Sequence, residues 1–115
     1  GKKSKPIVYV PDADCSGKMK ISRLGGREEN FAEWSEVYSE KGGKYNMTIF
    51  YSCDKNRKLE VSVNGTETVL KDLNSNKEVK SITIPVTLQK GYNTVRMGND
   101  FGWAPDIDRF TLSRQ

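Results

Sequence analysis

The feature that most constrains this chain is an alternation of apolar and polar residues with a period of two. The alternation is longest in residues 45–53 and returns in residues 58–63 and 81–88. Because successive side chains of a β-strand point to opposite faces, the pattern predicts three strands that each bury one face. The residues predicted to face inward are Tyr45, Met47, Ile49, Tyr51 and Cys53 in the first strand, Leu59, Val61 and Val63 in the second, and Ile82, Ile84, Val86 and Leu88 in the third.

Turn residues separate these strands. Asn64-Gly65 is the favoured pair for a type I′ turn, so residues 58–63 and 67–70 are predicted to form a hairpin. Pro85 cannot donate a backbone hydrogen bond, and its strand is therefore expected at a sheet edge or a bulge. Lys90-Gly91 predicts another turn. Further strands are predicted at residues 7–10, 18–22, 92–97 and 108–112.

Residues 31–38 fit two interpretations. Phe31, Trp34, Val37 and Tyr38 would lie on one face of a short helix. We favour a strand, because the turn at Gly42-Gly43 connects this segment directly to the strongest strand. The total is then about eight or nine short strands at intervals of about 8–12 residues, which is typical of an all-β sandwich or barrel.

The length of 115 residues corresponds to one domain, which is large enough to bury a core without disulfides or metals. We expect residues 1–5 to be a disordered tail that begins with a cleavage scar at Gly1. Residues 6–115 are expected to form a single β-sandwich.

Charge and composition argue against nucleic-acid and membrane partners. The formal net charge is +4, and Lys2, Lys3 and Lys5 in the tail supply most of it. The rest of the chain has no basic stripe with interleaved aromatic residues, which a nucleic-acid-binding surface requires. No apolar run approaches the ~20 residues of a membrane-spanning helix.

The chain contains no histidine, so it cannot build a Ser-His-Asp or Cys-His catalytic centre and lacks the usual zinc ligands. Asp100, Asp106 and Asp108 form an acidic cluster near the C-terminus. Asp106 and Asp108 would share a face of a strand, which suits cation binding or hydrogen bonding better than catalysis. Cys15 and Cys53 could form one disulfide or remain two buried thiols. We therefore do not expect an enzyme.

Residues 98–108 connect two predicted strands and combine aromatic, amide and carboxylate side chains. Trp103 and Phe101 can stack on the apolar face of a sugar ring, while Asn99 and Asp100 can hydrogen-bond its hydroxyls. The same aromatic residues could instead plug the open end of a sandwich.

Several motifs resemble the family 35 carbohydrate-binding modules, to which family 6 modules are similar. The resemblance covers roughly residues 30–112, and the order and spacing of the motifs make it more specific than any single one. The motifs are G-x-Y within residues 43–51, V-N-G within 57–65, L-x-x-G-x-N within 88–93 and P-x-I-D within 105–108. The form resembles modules that are appended to family 27 α-galactosidases of gut Bacteroidetes.

The resemblance implies a jelly-roll β-sandwich of two antiparallel sheets that binds sugar in loops at one end. Trp34 takes a position where the family usually has a core phenylalanine, so we expect it in the core. The loop at residues 25–30 is expected to approach the same end as residues 98–108. The residues expected to bind carbohydrate are Trp103, Phe101, Asn99, Asp100, Asn30 and Arg27.

A structural calcium ion is a further implication. The family commonly opens with E-A-E, whose carboxylates bind calcium together with an aspartate of the last strand. Here residues 9–14 supply Asp12 and Asp14 instead, and Asp108 matches the last aspartate. Because calcium takes six to eight oxygen ligands, the loss of one carboxylate need not abolish the site. The resemblance therefore suggests a calcium shared by Asp12 and Asp108.

The function favoured by these observations is a non-catalytic carbohydrate-binding module. It would hold a parent glycoside hydrolase near plant polysaccharide or galactosides, in a protein that is secreted, periplasmic or at the surface of a bacterium. A second interpretation is a structural sandwich that packs against the catalytic domain and binds no sugar. A third, a protein-adhesion domain, would require a contiguous apolar patch on a sheet face.

Overall fold

The computed structural model describes residues 8–10, 14–17, 25–26, 31–99 and 102–115. The predicted tail at residues 1–5 and the predicted strand at 18–22 lie outside this part of the chain. The strands are β1 (Val8–Val10), β2 (Asp14–Gly17), β3 (Gly25–Gly26), β4 (Ala32–Ser39), β5 (Gly43–Ser52), β6 (Arg57–Val63), β7 (Thr66–Leu73), β8 (Lys80–Leu88), β9 (Gly91–Gly98), β10 (Gly102–Trp103) and β11 (Asp106–Arg114).

Nine of these strands form the two layers of a jelly-roll β-sandwich. The order is β1-β4-β9-β6-β7 in the five-stranded sheet and β2-β11-β5-β8 in the four-stranded sheet. The described pairs are antiparallel except β1 with β4, which is parallel. The remaining strands, β3 and β10, form a separate two-stranded ribbon. The predicted all-β sandwich of eight or nine strands is confirmed.

The core lies between the sheets and includes most of the residues that the alternation pointed inward. Cys53, Ile82 and Val86 are only partly buried and pack against it. Trp34 is fully buried, and its ring meets Phe110 of the opposite sheet edge-on, with the ring centroids 5.0 Å apart. The predictions of a strand at residues 31–38 and of a core Trp34 are confirmed. A bulge between Trp34 and Val37 inserts an extra residue in β4, so both side chains face the core. This bulge produces the three-residue spacing that resembled a helix.

The predicted turn and edge signals are also confirmed. Asn64 and Gly65 both have positive φ, 50° and 90°, as a type I′ turn requires. Pro85 lies in β8, which is an edge strand of the four-stranded sheet. Cys53 is a free cysteine whose thiol donates a hydrogen bond to the carbonyl of Leu73 at 3.2 Å, so the disulfide alternative is not realised.

One end of the sandwich, here called the closed end, is organised by the buried side chain of Asn93. Its amide nitrogen donates to the carbonyls of Val37, Gln89 and Gly91, each at 3.1 Å. Its amide oxygen accepts from the Asn64 side chain at 2.7 Å and from the Gln89 backbone at 2.8 Å. One side chain therefore joins the β6–β7 turn to the β8–β9 turn and to β4.

Candidate functional site

The opposite end, here called the loop end, contains the segment that the sequence singled out. The chain leaves β9 at Gly98, passes Asn99, forms the short strand β10 and enters β11 at Asp106. β10 pairs with β3, so that Gly102 lies opposite Gly26 and Trp103 lies opposite Gly25. The segment expected as a plain loop thus contains a two-residue strand. This pairing places Gly25 and Gly26 at the same end, whereas residues 27–30 lie outside the described residues.

A second contact joins the same two segments. The ring of Phe31 packs so closely against Gly98 that a Cβ atom at position 98 would overlap it. The guanidinium of Arg96 lies 4.2 Å from the centroid of the same ring and forms an ion pair with Glu33 at 3.8 Å. This contact joins the residue before Asn99 to the residue after Asn30 in the chain, and Asn30 itself lies outside the described residues.

The predicted carbohydrate-binding residues are described to different degrees. Asn99 is 2% exposed, so it can contact a ligand only at the floor of a site. The backbone of Trp103 lies in β10, opposite a glycine that has no side chain. Asp100, Phe101, Arg27 and Asn30 lie outside the described residues. The structure therefore places Asn99 and the backbone of Trp103 at the loop end, while the site itself and the roles of its residues remain predictions.

Glu60 is a residue of this region that the sequence did not reveal. It lies opposite Gly98 in the β6–β9 pair and is 8% exposed, although it occupies an outward-facing position in β6. Its carboxylate forms an ion pair with Lys58 Nζ at 3.1 Å. The alternation in β6 predicts that Glu60 is exposed. The sequence alone does not reveal its burial, because it does not show that Glu60 lies opposite a glycine that Phe31 covers.

Two further loops close the loop end beside this site, and Ser75 holds them together. The backbone N–H of Cys53 donates to Ser75 Oγ at 2.9 Å, and Ser75 Oγ donates to the carbonyl of Cys53 at 3.2 Å. The backbone N–H of Lys77 reaches the same carbonyl at 2.9 Å. The loops that follow β5 and β7 are thereby fixed to each other at the end of the sheet where β11 begins.

The calcium ion expected between Asp12 and Asp108 stays a prediction from the resemblance, because Asp12 lies outside the described residues. Asp108 is described, and its carboxylate is 3.3 Å from Arg109 Nη1.

The acidic cluster also differs from the expectation. A register shift between Ile107 and Arg109 places a bulge at Asp108, which interrupts the alternation that would have put Asp106 and Asp108 on one face. Within the described residues, no group of three or more acidic or cysteine side chains is arranged to bind a metal. No helix in the same part of the chain is long and apolar enough to cross a membrane.

Several solved structures share this fold. A family 35 carbohydrate-binding module from Clostridium thermocellum matches with a TM-score of 0.73 and 22% identity, over 88% of this chain and 92% of that one. A second family 35 module, from Cellvibrio japonicus, matches with a TM-score of 0.63 and 18% identity, over 84% and 86% of the two chains. An exo-β-1,3-galactanase from Phanerochaete chrysosporium, solved with galactose, matches with a TM-score of 0.67 and 19% identity, over 88% of this chain and 27% of its own.

At these identities the likeness establishes the fold, which is the fold of family 35 carbohydrate-binding modules. The predicted family resemblance is confirmed at that level. No protein-family model matches the sequence, and no curated protein matches it.

Proposed function

We propose that this chain is a non-catalytic carbohydrate-binding module whose site lies at the loop end. The observation that carries the proposal is the pairing of β3 with β10. It joins the segment that contains Arg27 and Asn30 to the segment that contains Asn99 and Trp103. These are the aromatic, amide and charged side chains that a sugar site requires.

The chemistry of the site follows from the two faces of a sugar ring. Trp103 would stack on the C–H face, and Gly25 opposite it contributes no side chain that could compete for that space. Asn99 would offer its amide to a hydroxyl at the floor, and Asn30, Arg27 and Asp100 would offer polar groups at the rim. An apolar platform with a few placed polar groups is the usual composition of a small-ligand site.

The biological role would be to hold a parent glycoside hydrolase on its substrate. A single site of this size binds weakly, but attachment to an enzyme raises the effective concentration of substrate at the catalytic domain. We propose plant polysaccharide or galactosides as the ligand and an α-galactosidase as one candidate parent, in a secreted, periplasmic or surface protein of a bacterium. The galactanase that contains the same fold supports a glycosidase context.

A structural accessory domain is the second candidate function. The deep burial of Asn99 favours it, because a residue that is 2% exposed can serve the packing of the loop alone. The adhesion-domain interpretation has less support. The exposed large apolar residues of the described chain are Val69, Val79 and Tyr92, which lie on separate elements and form no contiguous patch.

A fluorescence titration separates the two leading candidates. The chain has two tryptophans, and Trp34 is buried, so a sugar-dependent change in emission reports on Trp103. We expect a saturable response to galactose-terminated or other plant oligosaccharides, and we expect Trp103→Ala to weaken binding about tenfold or more when measured by calorimetry. Titrations with and without calcium would test the predicted ion at the same time.

Tyr92→Ala is the matched control, because it removes an aromatic residue that is 60% exposed on a sheet face away from the loop end. This variant should bind as the wild type does. If no sugar in the panel changes the emission and calorimetry detects no heat, the structural accessory domain is the better description. Equal losses in the two variants would also argue against a site at the loop end.

A further inference from the structure

The five- and four-stranded sheets end in four edge strands, and three of these are poor templates for another strand. β1 and β2 contain only three and four residues. β8 carries Pro85 near its centre, which removes a backbone donor. Short edges and prolines are common ways in which proteins keep the unpaired N–H and C=O groups of an edge from pairing with another chain. The fourth edge, β7, has eight residues and no proline.

The free edge of β7 presents the backbone groups of alternate residues. β7 pairs with β6, and no described strand pairs with its other side. The two-residue turn between β6 and β7 makes Val63 and Thr66 a hydrogen-bonded pair, so Thr66 points its N–H and C=O toward β6. Because this direction alternates along a strand, Glu67 and Val69 point theirs toward the free edge, and Lys71 is the next residue in the same alternation.

The side chains of these three residues are all exposed. Val69, at 41%, is one of the few large apolar side chains of the described chain that the fold leaves in solvent. Neither Glu67 nor Lys71 forms an ion pair with a described residue. Asp72 has a positive φ of 57°, which ends the regular stretch. The regular edge therefore carries a carboxylate at one end, an ammonium at the other and Val69 at its centre.

This order of charges is complementary to a second copy of itself. When two antiparallel copies pair about a two-fold axis at Val69, each Glu67 lies opposite the Lys71 of the other copy. The two Val69 residues then exchange their N–H···O=C bonds, since their backbone groups point to the edge. Opposite charges that face each other across strands stabilise the pairing, and like charges destabilise it. An axis at Glu67 or at Lys71 would place like charges opposite each other, so the charges select the register centred on Val69.

We propose that β7 is an interface through which two copies of this chain form a symmetric dimer. The pairing joins the two five-stranded sheets into one continuous sheet. Because a single strand pair is a smaller contact than the standard interface of about 1,600 Å², the dimer is weak and forms at high protein concentration. β7 runs from the closed end to the loop end, so antiparallel pairing places the two loop ends at opposite ends of the dimer. The inference goes beyond the proposed sugar site and does not depend on it.

Sedimentation velocity over a range of protein concentrations tests the proposal. We expect monomers at about 10 μM and a rising fraction of dimer toward about 1 mM. Two-dimensional NMR of the labelled protein over the same range should show shifts that concentrate on the amides of β7. Val69→Pro removes the central donor of the interface. Because an edge strand tolerates proline where the N–H faces solvent, this variant should fold, and its dimer should be about tenfold weaker or more.

Charge reversal tests the register of the pairing. Glu67→Lys places like charges opposite each other and should weaken the dimer about three- to tenfold. The double variant Glu67→Lys/Lys71→Glu restores opposite charges and should restore the dimer. Glu36→Lys is the matched control, because it reverses an exposed charge on β4, which is paired on both sides, and it should leave the dimer unchanged.

Several outcomes would overturn the proposal. They are a protein that stays monomeric at the highest concentration, shifts that fall outside β7, a folded Val69→Pro protein that dimerises as the wild type does, equal effects of Glu67→Lys and Glu36→Lys, and a double variant that does not recover the dimer. A sugar titration of Val69→Pro at low protein concentration keeps this result separate from the function of the loop end, since sugar affinity should not change.

Discussion

The two ends of the sandwich are built in different ways. At the closed end the connections are tight turns with glycines at positive φ, among them Asn64-Gly65, and a single buried amide, Asn93, binds them together. At the loop end the connections are longer, and they are held by contacts between segments that are distant in sequence. The contacts are Phe31 with Gly98, Cys53 with Ser75, and β3 with β10.

The comparison separates what stabilises the fold from what is available for binding. The polar groups in the turns of the closed end form hydrogen bonds with one another, which leaves few donors or acceptors for a ligand. The loop end carries aromatic and amide side chains on segments that the sheets only anchor. Binding residues are often placed in this way, on loops that a rigid scaffold positions.

The largest effect is expected from Asn93→Ala, which removes the amide that organises the closed end. The change removes the hydrogen bonds that the Asn93 side chain makes with the carbonyls of Val37, Gln89 and Gly91, the backbone N–H of Gln89 and the amide nitrogen of Asn64. Because each buried polar group that loses its hydrogen bond costs about 1–3 kcal/mol, we expect the free energy of unfolding to fall by about 2–4 kcal/mol in urea denaturation. Sugar affinity of the folded protein should not change.

Gln89→Ala is the control for this prediction. The Gln89 side chain donates one exposed hydrogen bond, to the carbonyl of Tyr92 at 2.7 Å, and its removal should change the unfolding free energy by less than about 0.5 kcal/mol. Two outcomes would contradict the view that the closed end stabilises the fold and the loop end binds the ligand. One is equal destabilisation by the two variants, and the other is a loss of sugar affinity in Asn93→Ala.

The closed end could be predicted from the sequence because its signals are local. Asn64-Gly65 and Lys90-Gly91 specify their turns within a few residues, and the alternation specifies which faces are buried. The central role of Asn93 could not be predicted in the same way. One of its hydrogen-bond partners, Val37, is 56 residues away in the chain. A short sequence pattern cannot predict a contact over that separation.

An intermediate effect is expected from Gly98→Ala at the loop end. The new methyl group would overlap the Phe31 ring, so the ring and the chain next to it must move. Overpacking of this kind costs about 1–3 kcal/mol. We also expect a measurable loss of sugar affinity, since Asn30 adjoins Phe31 and Asn99 adjoins Gly98. Combining the change with Phe31→Ala should recover stability, which a double-mutant cycle would detect.

Gly65→Ala makes the same substitution at the closed end. Its cost, about 1 kcal/mol, comes from the positive φ of 90° alone, because no atom lies within 4 Å of the added Cβ. Sugar affinity should be retained. If the two glycine variants lose sugar affinity to the same extent, the contact between Phe31 and Gly98 does not position the site.

The loop end was only partly predictable, for a physical reason. The composition of residues 98–108 indicated that a site is present, and the resemblance suggested its partner segment. The contact of Phe31 with Gly98 and the burial of Glu60 depend on how β4, β6 and β9 lie side by side. A glycine inside a strand signals close approach of another group, but it does not say which group. The sequence could therefore indicate a candidate site without giving the geometry of its surroundings.

The smallest effect concerns pH and Tyr51, which lies where β5 reaches the loop end. Burial, with a smaller contribution from the nearby Cys53, raises the pKa of Tyr51 above its ordinary value of 10.0. The folded state thus holds the phenol proton more tightly than the unfolded state. The resulting stability is fully present below about pH 10 and is lost as the pH rises through the folded-state pKa. Urea midpoints measured from pH 8 to pH 11 should fall less steeply for Tyr51→Phe than for the wild type. The urea midpoint of Tyr92→Phe, which changes an exposed position of the five-stranded sheet, should fall with pH as that of the wild type does. Equal slopes for all three proteins would mean that Tyr51 does not contribute to the pH dependence of stability.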